Sequence, residues 1–243
     1  MTEVADGVHR LGSRYINWYV IADRGRLTVL DTGLPGYASQ LPGLLATLGR
    51  TPADVEAIVL THSHVDHAGG AVRATELTGA RVMVHVADAP VVRGDRKARR
   101  PRLPLSRPYL LRYLLTHLVP NGGAGYPTVA AVSEFADGAV LDVPGRPRVI
   151  HAPGHTPGSC ALLLEDRSVL FSGDVLVTLN TGDGSTGPRL ISRFFNGDPA
   201  QAVEALGVLE PLHAGVMLPG HGEPWTGGVG EAVRLARAVG LPD

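Results

Sequence analysis

The sequence predicts an α/β protein with sheets covered by helices. Two groups of strand-like runs are each closed by helix-like runs, and a stretch of different character, about residues 94–127, separates them. That alternation on both sides of an insert reads as two similar halves of one domain over 1–243, although no residue-level repeat marks a duplication.

The first group opens with "VHRLG", "YINWYVIA" and "RLTVLDTG", short runs rich in β-branched and aromatic residues, with "ADRG" as a hairpin signal between the last two. A helix is expected from Tyr37 to Leu48. The apolar "AIVL" inside "TPADVEAIVLTH" predicts a buried strand ending at Thr61, "GGAVRATELTG" has helical composition, and "RVMVHV" is the next strand. In the insert, "GDRKARRPRLPLSRP" is basic and proline-broken, "YLLRYLLTHLV" suits a short helix, and "PNGGAGYP" is a loop. Strands are expected again at "AVLDV", "RVIHAPG", "SCALLLE" and "SVLFSGD", followed by a glycine-rich loop from Thr181 to Pro188. A helix over Asp198 to Leu209, a strand at "GVMLPG" and a helix from Glu231 to Val239 complete the chain.

Composition narrows the function classes. With 44% apolar and 19% charged residues the chain has the profile of a folded globular protein, not of a disordered one. Its 22 basic and 23 acidic side chains nearly cancel, so the whole lacks the electrostatic footprint of a nucleic-acid binder. A single cysteine, Cys160, excludes an intrachain disulfide and a thiolate metal cage, and is expected to pack inside a strand. The start "MTEVADGVHRLG" is acidic where a secretion signal is basic, and no run approaches the roughly 20 apolar residues of a membrane span, so a cytoplasmic location is expected.

The chemistry concentrates in "THSHVDHAGG", residues 61 to 70, which places three histidines and an aspartate within six positions. His62 and His64, two apart at a strand end, can leave on one face. Asp66 and His67 follow where the chain turns into a helix. This offers one pair of ligands to each of two neighbouring ions, and imidazole and carboxylate suit zinc and similar divalent metals. Three later strand-end turns supply the complement: "HAPGHTPGS" with His155 for the first ion, "LPGHGE" with His221 for the second, and "LFSGD" with Asp174 as a bridge. His9, His85, His117 and His213 read as structural or surface histidines, and His151 as core or support for the loop of His155.

This ordered set resembles the metallo-β-lactamase superfamily, whose pattern is H-x-H-x-D-H, a histidine in a GHTxGS-like turn, an aspartate in "SGD" and a histidine in "PGHG". The resemblance implies a four-layer αββα sandwich with the metals at one edge of two packed sheets. It also implies that Asp31 of "LTVLDTG" supports the ligand loop without binding metal. Two divalent ions, zinc first and iron or manganese as alternatives, would share a bridging hydroxide, with Asp66 as the catalytic residue that orients it and relays its proton. An aspartate at position 174 resembles the glyoxalase II, lactonase and phosphodiesterase-like branches, whereas true β-lactamases have cysteine or serine near that point.

The expected activity is hydrolysis of an ester, thioester or lactone of a small metabolite. The alternatives are a mononuclear iron dioxygenase acting on a persulfide, and a phosphodiesterase or nuclease of the same superfamily. The insert is expected to form a lid, a contact between two copies or plain core, with Tyr109 and Tyr113 offered to an acyl-like group. Arg189 and Arg193 are expected to meet an anionic substrate group. The basic run of Arg93, Arg96, Lys97, Arg99, Arg100 and Arg102 reads as a solvated loop, so no nucleic-acid partner is expected, and a homodimer stays open.

Overall fold

The computed structural model describes residues 2–243. Four strands open the chain as an antiparallel meander: β1 (Thr2–Ala5), β2 (Val8–Gly12), β3 (Asn17–Asp23) and β4 (Arg26–Leu30). Asp23 faces Arg26 across the two-residue turn that the "ADRG" signal predicts. A 3-10 turn over Pro35–Gln40 and helix α1 (Leu41–Thr47) then lead to β5 (Val55–Val59). Helices α2 (Val65–Ala68) and α3 (Ala71–Thr78) lead to β6 (Arg81–His85). Helices α4 (Ala89–Arg93) and α5 (Pro108–Tyr113) precede β7 (Val132–Phe135). Strands β4 to β7 run parallel, so this first sheet has seven strands in sequential order.

The second half begins with β8 (Arg148–His151), β9 (Cys160–Leu164) and β10 (Val169–Gly173). After the hairpin β11 (Val177–Leu179) and β12 (Thr186–Arg189) come α6 (Pro199–Glu204), α7 (Leu206–Leu209), β13 (Val216–Pro219) and α8 (Val229–Val239). Strands β13, β10, β9 and β8 form the second sheet in that spatial order, with β13 parallel to β10 and the other pairs antiparallel.

Alternation along the strands builds the four layers. Cys160, Leu162 and Leu164 of β9 face inward, where they meet Tyr19 and Ile21 of β3 and Val59 of β5 in one buried cluster. Ala161 and Leu163 face outward against Leu206, Leu209, Ala232, Val233 and Ala236 of α7 and α8. On the other flank, Trp18 and Val20 of β3 and Ile58 of β5 meet Leu41, Leu44, Ala71 and Ala74 of α1 and α3. A strand buried on both faces reads as an unbroken apolar run, which is why "CALLL" and "VLFSG" show no polar alternation. In α8, Val229, Ala232, Val233 and Ala236 recur at helical spacing on the buried side. The αββα sandwich is therefore present. Among the described residues, no helix is long and apolar enough to cross a membrane.

Some local expectations differ from the structure. "AVLDV" is not a strand but a turn, because its backbone bonds locally, Leu141 N–H to Pro147 and Arg146 N–H to Val143, leaving one isolated bridge between Val140 and Arg148. The glycine-rich loop over Thr181 to Pro188 contains the start of β12, stabilised by pairing with β11 and not by its own composition. The helix over Asp198 to Leu209 is interrupted at Ala205. In the insert, Leu110 and Tyr113 are buried in the first core, Leu114 and Leu118 pack against it, and Leu111, Leu115 and Val119 are exposed.

Candidate metal centre

Every predicted ligand lies just beyond the C-terminal end of a strand: His62 to His67 after β5, His155 after β8, Asp174 after β10 and His221 after β13. β5 ends at Val59, so His62 and His64 reach the site from a bend and not by strand alternation. Three donor sets converge, each with its atoms within 4.8 Å of one another: His62, His64 and His155; His62, His67 and Asp174; Asp66, His67 and His221. Asp174 sits at the centre, its carboxylate 3.3 Å from His67 Nε2, 3.3 Å from His155 Nε2, 3.0 Å from His221 Nε2 and 4.0 Å from His62 Nε2. Asp66 Oδ2 lies 3.5 Å from His221 Nε2.

The outer nitrogens fix the tautomers. His67 Nδ1 donates to Asp31 at 2.9 Å, His221 Nδ1 donates to the Tyr15 carbonyl at 2.6 Å, and His155 Nδ1 donates to Asn196 at 3.3 Å. The Thr61 hydroxyl donates to Asp31 and so accepts from His62 Nδ1 at 3.1 Å. When neutral, each of these four rings has its Nε2 lone pair facing inward, the arrangement that metal-binding histidines require. His64 instead presents Nδ1, 2.8 Å from His155 Nε2. Asp31 holds a left-handed backbone at φ 56, an uncommon conformation for a residue with a side chain, and uses both oxygens on Thr61 and His67.

Burial and mutual repulsion depress His62 well below the usual histidine range, and burial lowers His64. Burial and the neighbouring His64 push His155 down to about 3. Neutral imidazole is the metal-binding form. Burial also acts against charge on His67 and His221, yet the Asp174 carboxylate outweighs it and raises both, with help from Asp31 at His67. Asp174 is held well below the usual carboxylate range by His221 and His67 despite its burial. Three inward atoms, His62 Nε2, His67 Nε2 and Asp174 Oδ1, are buried without a hydrogen-bond partner. Unpaired buried polar atoms are costly, and a cation would satisfy all three at once. A Cβ on Gly220 would lie 2.3 Å from Asp174 Oδ1 and 2.5 Å from His67 Cε1, so only glycine admits this convergence. The donor set fits divalent metal.

Two supports carry no mark in the sequence. Asp88, fully buried, accepts from Ser63 N–H at 2.8 Å and from the Thr156 hydroxyl at 2.7 Å on one oxygen, and from Gly158 N–H at 2.8 Å on the other. It thus ties the loop of His62 and His64 to the turn of His155. The Tyr15 carbonyl under His221 is the second support, and a backbone carbonyl has no residue signature to read. His151 is half-buried, stacks on His85 with ring centroids 4.1 Å apart, and donates to the Pro157 carbonyl in the turn of His155.

A cleft of about 440 Å³ opens over the cluster, with Asp66, Asp174 and His221 on its floor and Tyr113, Leu114 and Leu118 of the insert on its wall. The Tyr113 hydroxyl is buried without a partner. Tyr109, Arg189 and Arg193 do not line this cleft. Tyr109 packs instead against Tyr15 and Gly184, Arg193 is exposed, and Arg189 folds back onto the Gly187 and Thr186 carbonyls of its own hairpin, which takes two of its donors. Arg99 and Arg100 of the basic run do line the cleft, although that run reads in the sequence as a solvated loop. Tyr126, also in the insert, hydrogen-bonds the Ser63 carbonyl and ties the insert to the ligand loop.

Comparison with known proteins agrees with this geometry. The chain is 29% identical over 237 residues to a probable metallo-hydrolase, YflN, of Bacillus subtilis, covering 93% of this chain and 87% of that one. It is 28% identical over 198 residues to a hydroxyacylglutathione hydrolase of Xylella fastidiosa, covering 80% of this chain and 54% of that enzyme's length. A metallo-beta-lactamase family protein of Thermus thermophilus superposes with a TM-score of 0.68 at 26% identity, covering 98% of this chain and 80% of that one. The profile of the metallo-beta-lactamase superfamily matches residues 11–221, and the chain belongs to that superfamily.

Proposed function

We propose that the protein is a dinuclear metal-dependent hydrolase of an ester, thioester or lactone of a small metabolite. The observation that carries this reading is the convergence of three donor sets around Asp174, with the outer nitrogens of four rings anchored and His62 Nε2, His67 Nε2 and Asp174 Oδ1 unpaired. His62, His64 and His155 would hold one ion, Asp66, His67 and His221 the other, and Asp174 would bridge them. When bound, two such ions supply a water acidified toward neutrality and a Lewis acid for the substrate's reacting oxygen.

The chain's own groups do the rest. Asp66, on the cleft floor, orients the attacking water and takes up its proton. The Tyr113 hydroxyl, free of any protein partner, donates to the oxygen on which charge develops. Leu114 and Leu118 keep bulk water from the reacting bond. The likeness to an enzyme named for cleaving hydroxyacylglutathione, a thioester, supports trying thioesters first.

Metal analysis with a substrate panel tests the proposal. Zinc-reconstituted protein is expected to hold about two ions per chain and to hydrolyse a thioester in preference to a phosphodiester. One iron per chain with oxygen consumption on a persulfide would overturn it.

A further inference from the structure

A second pocket of about 410 Å³ adjoins the cleft, and the two share His64, Ala98, Arg99 and His155 as their common wall. Its character is different. The cleft sets Leu103, Leu114, Leu118 and Tyr113 beside Arg99 and Arg100, whereas the second pocket has no leucine and adds Arg96 and Lys97 to the shared Arg99. Two carboxylates also line it, but both are committed: Asp88 to Ser63, Thr156 and Gly158, and Asp198 to the first two free amides of α6. Arg93, just upstream, is satisfied by Asp95 and Glu134. Among the described residues, Lys97 and Arg99 have no carboxylate within ion-pair distance. Unpaired cations on a concave wall raise the local concentration of anions, which a solvated, convex loop would not do.

We propose that the substrate is amphiphilic, with an apolar group on one side of the scissile bond lying in the cleft and an anionic group on the other side lying against Lys97 and Arg99. The proposal rests on the hydrolase reading for the position of the scissile bond, at the histidine wall where the two pockets meet. Carboxylate and phosphate share the chemistry that the basic wall recognises. Both pocket volumes fall within the range that small-molecule sites occupy.

The test is equilibrium binding, by calorimetry, of three non-hydrolysable S-octyl thioethers to zinc-loaded protein: S-octyl-mercaptosuccinate, S-octyl-phosphopantetheine and neutral S-octyl-pantetheine. At least one anionic probe is expected to bind about 10-fold more tightly than the neutral one, and high salt should erase the advantage. The probe with the larger gain distinguishes carboxylate from phosphate. In the Lys97→Ala, Arg99→Ala double variant, the loss should be confined to the anionic probes. The charge of the metal centre is common to both proteins, so only the difference between them counts. Equal binding of all three probes by the wild type, or equal losses for all three in the variant, would overturn the proposal. Since binding is read without turnover, a wild type that prefers the anionic probe but hydrolyses no ester or thioester would sink the hydrolase reading and leave the basic pocket standing.

Discussion

Replacing Asp88 by asparagine removes one oxygen from a junction that uses both. One orientation of the amide sets its NH₂ against Gly158 N–H, and the other sets it against Ser63 N–H, so a buried backbone donor faces a donor either way. Hydrogen bonds to a charged acceptor contribute about 1.5–3 kcal/mol each, and an unsatisfied buried donor costs a similar amount. Losing one such bond and weakening the others predicts a loss of about 2–4 kcal/mol. In a chain of this size that corresponds to a Tm lower by roughly 5–15 °C. The junction also sets the spacing between the loop of His62 and His64 and the turn of His155, and loss of an outer support typically costs about 10–100-fold in metal affinity. Thermal unfolding followed by circular dichroism, with zinc affinity measured by competition against a chromophoric chelator, reads both effects. An Asp88→Asn protein with Tm within about 2 °C of wild type and zinc affinity within about 2-fold would refute the reasoning that this buried carboxylate spaces the ligand loops.

Three further outcomes are expected. Gly220→Ala drives a methyl into Asp174 and His67, and should lower both the zinc content measured by plasma emission and thioester hydrolysis, the latter by about 100-fold. Tyr113→Phe removes a hydroxyl with no protein partner, so Tm and metal content should hold while kcat/KM falls about 10-fold or more; an unchanged kcat/KM would reduce Tyr113 to a wall residue. In metal-free protein, His155 is held at about 3 against an ordinary 6.5, so below pH 6.5 the unfolded chain binds the proton that the folded one refuses. Stability should therefore fall as pH drops from about 6.5 toward 3 and level off in this contribution below that, and a His155→Asn variant should show a shallower slope in denaturant titrations across that window.

The fold was legible where one physical rule acted alone. Apolar runs such as "AIVL" and "CALLL" predict strands because burial on both faces leaves no other composition, and the spacing in α8 predicts a helix for the same reason. The misreadings came where distant partners decide. "AVLDV" has strand composition but no neighbour to pair with beyond a single bridge, and "TGPR" becomes β12 only because β11 lies beside it. The seven candidate ligands could be named because ligand-capable side chains stand out at strand-end turns, and the fold brings all seven together. Arg189 shows the limit of that method, since its charge suggests an anion site while its guanidinium is turned onto its own hairpin and does not line the cleft. Asp88 shows the converse, an ordinary residue in "VADAP" whose role depends on amides 25 and 70 positions away.

The distribution of paired and unpaired atoms explains why the centre points to a cation and not to a self-satisfied polar core. A buried network that existed for stability would pair its inner atoms, since each orphan costs as much as a hydrogen bond contributes. Here the pairing is uneven: the outward nitrogens of His62, His67, His155 and His221 are all anchored, and inside the cluster His155 Nε2 meets His64 and His221 Nε2 meets Asp174 Oδ2, while His62 Nε2, His67 Nε2 and Asp174 Oδ1 are left open. Anchoring the outer ring fixes tautomer and orientation before any ion arrives, which removes much of the ordering cost from binding. Burial, reinforced by the neighbouring histidines, keeps His62 and His155 neutral, while Asp174 draws His67 and His221 toward protonation. A proton held by His67 or His221 therefore occupies the place of positive charge that a divalent ion would take, and ion binding is coupled to its release.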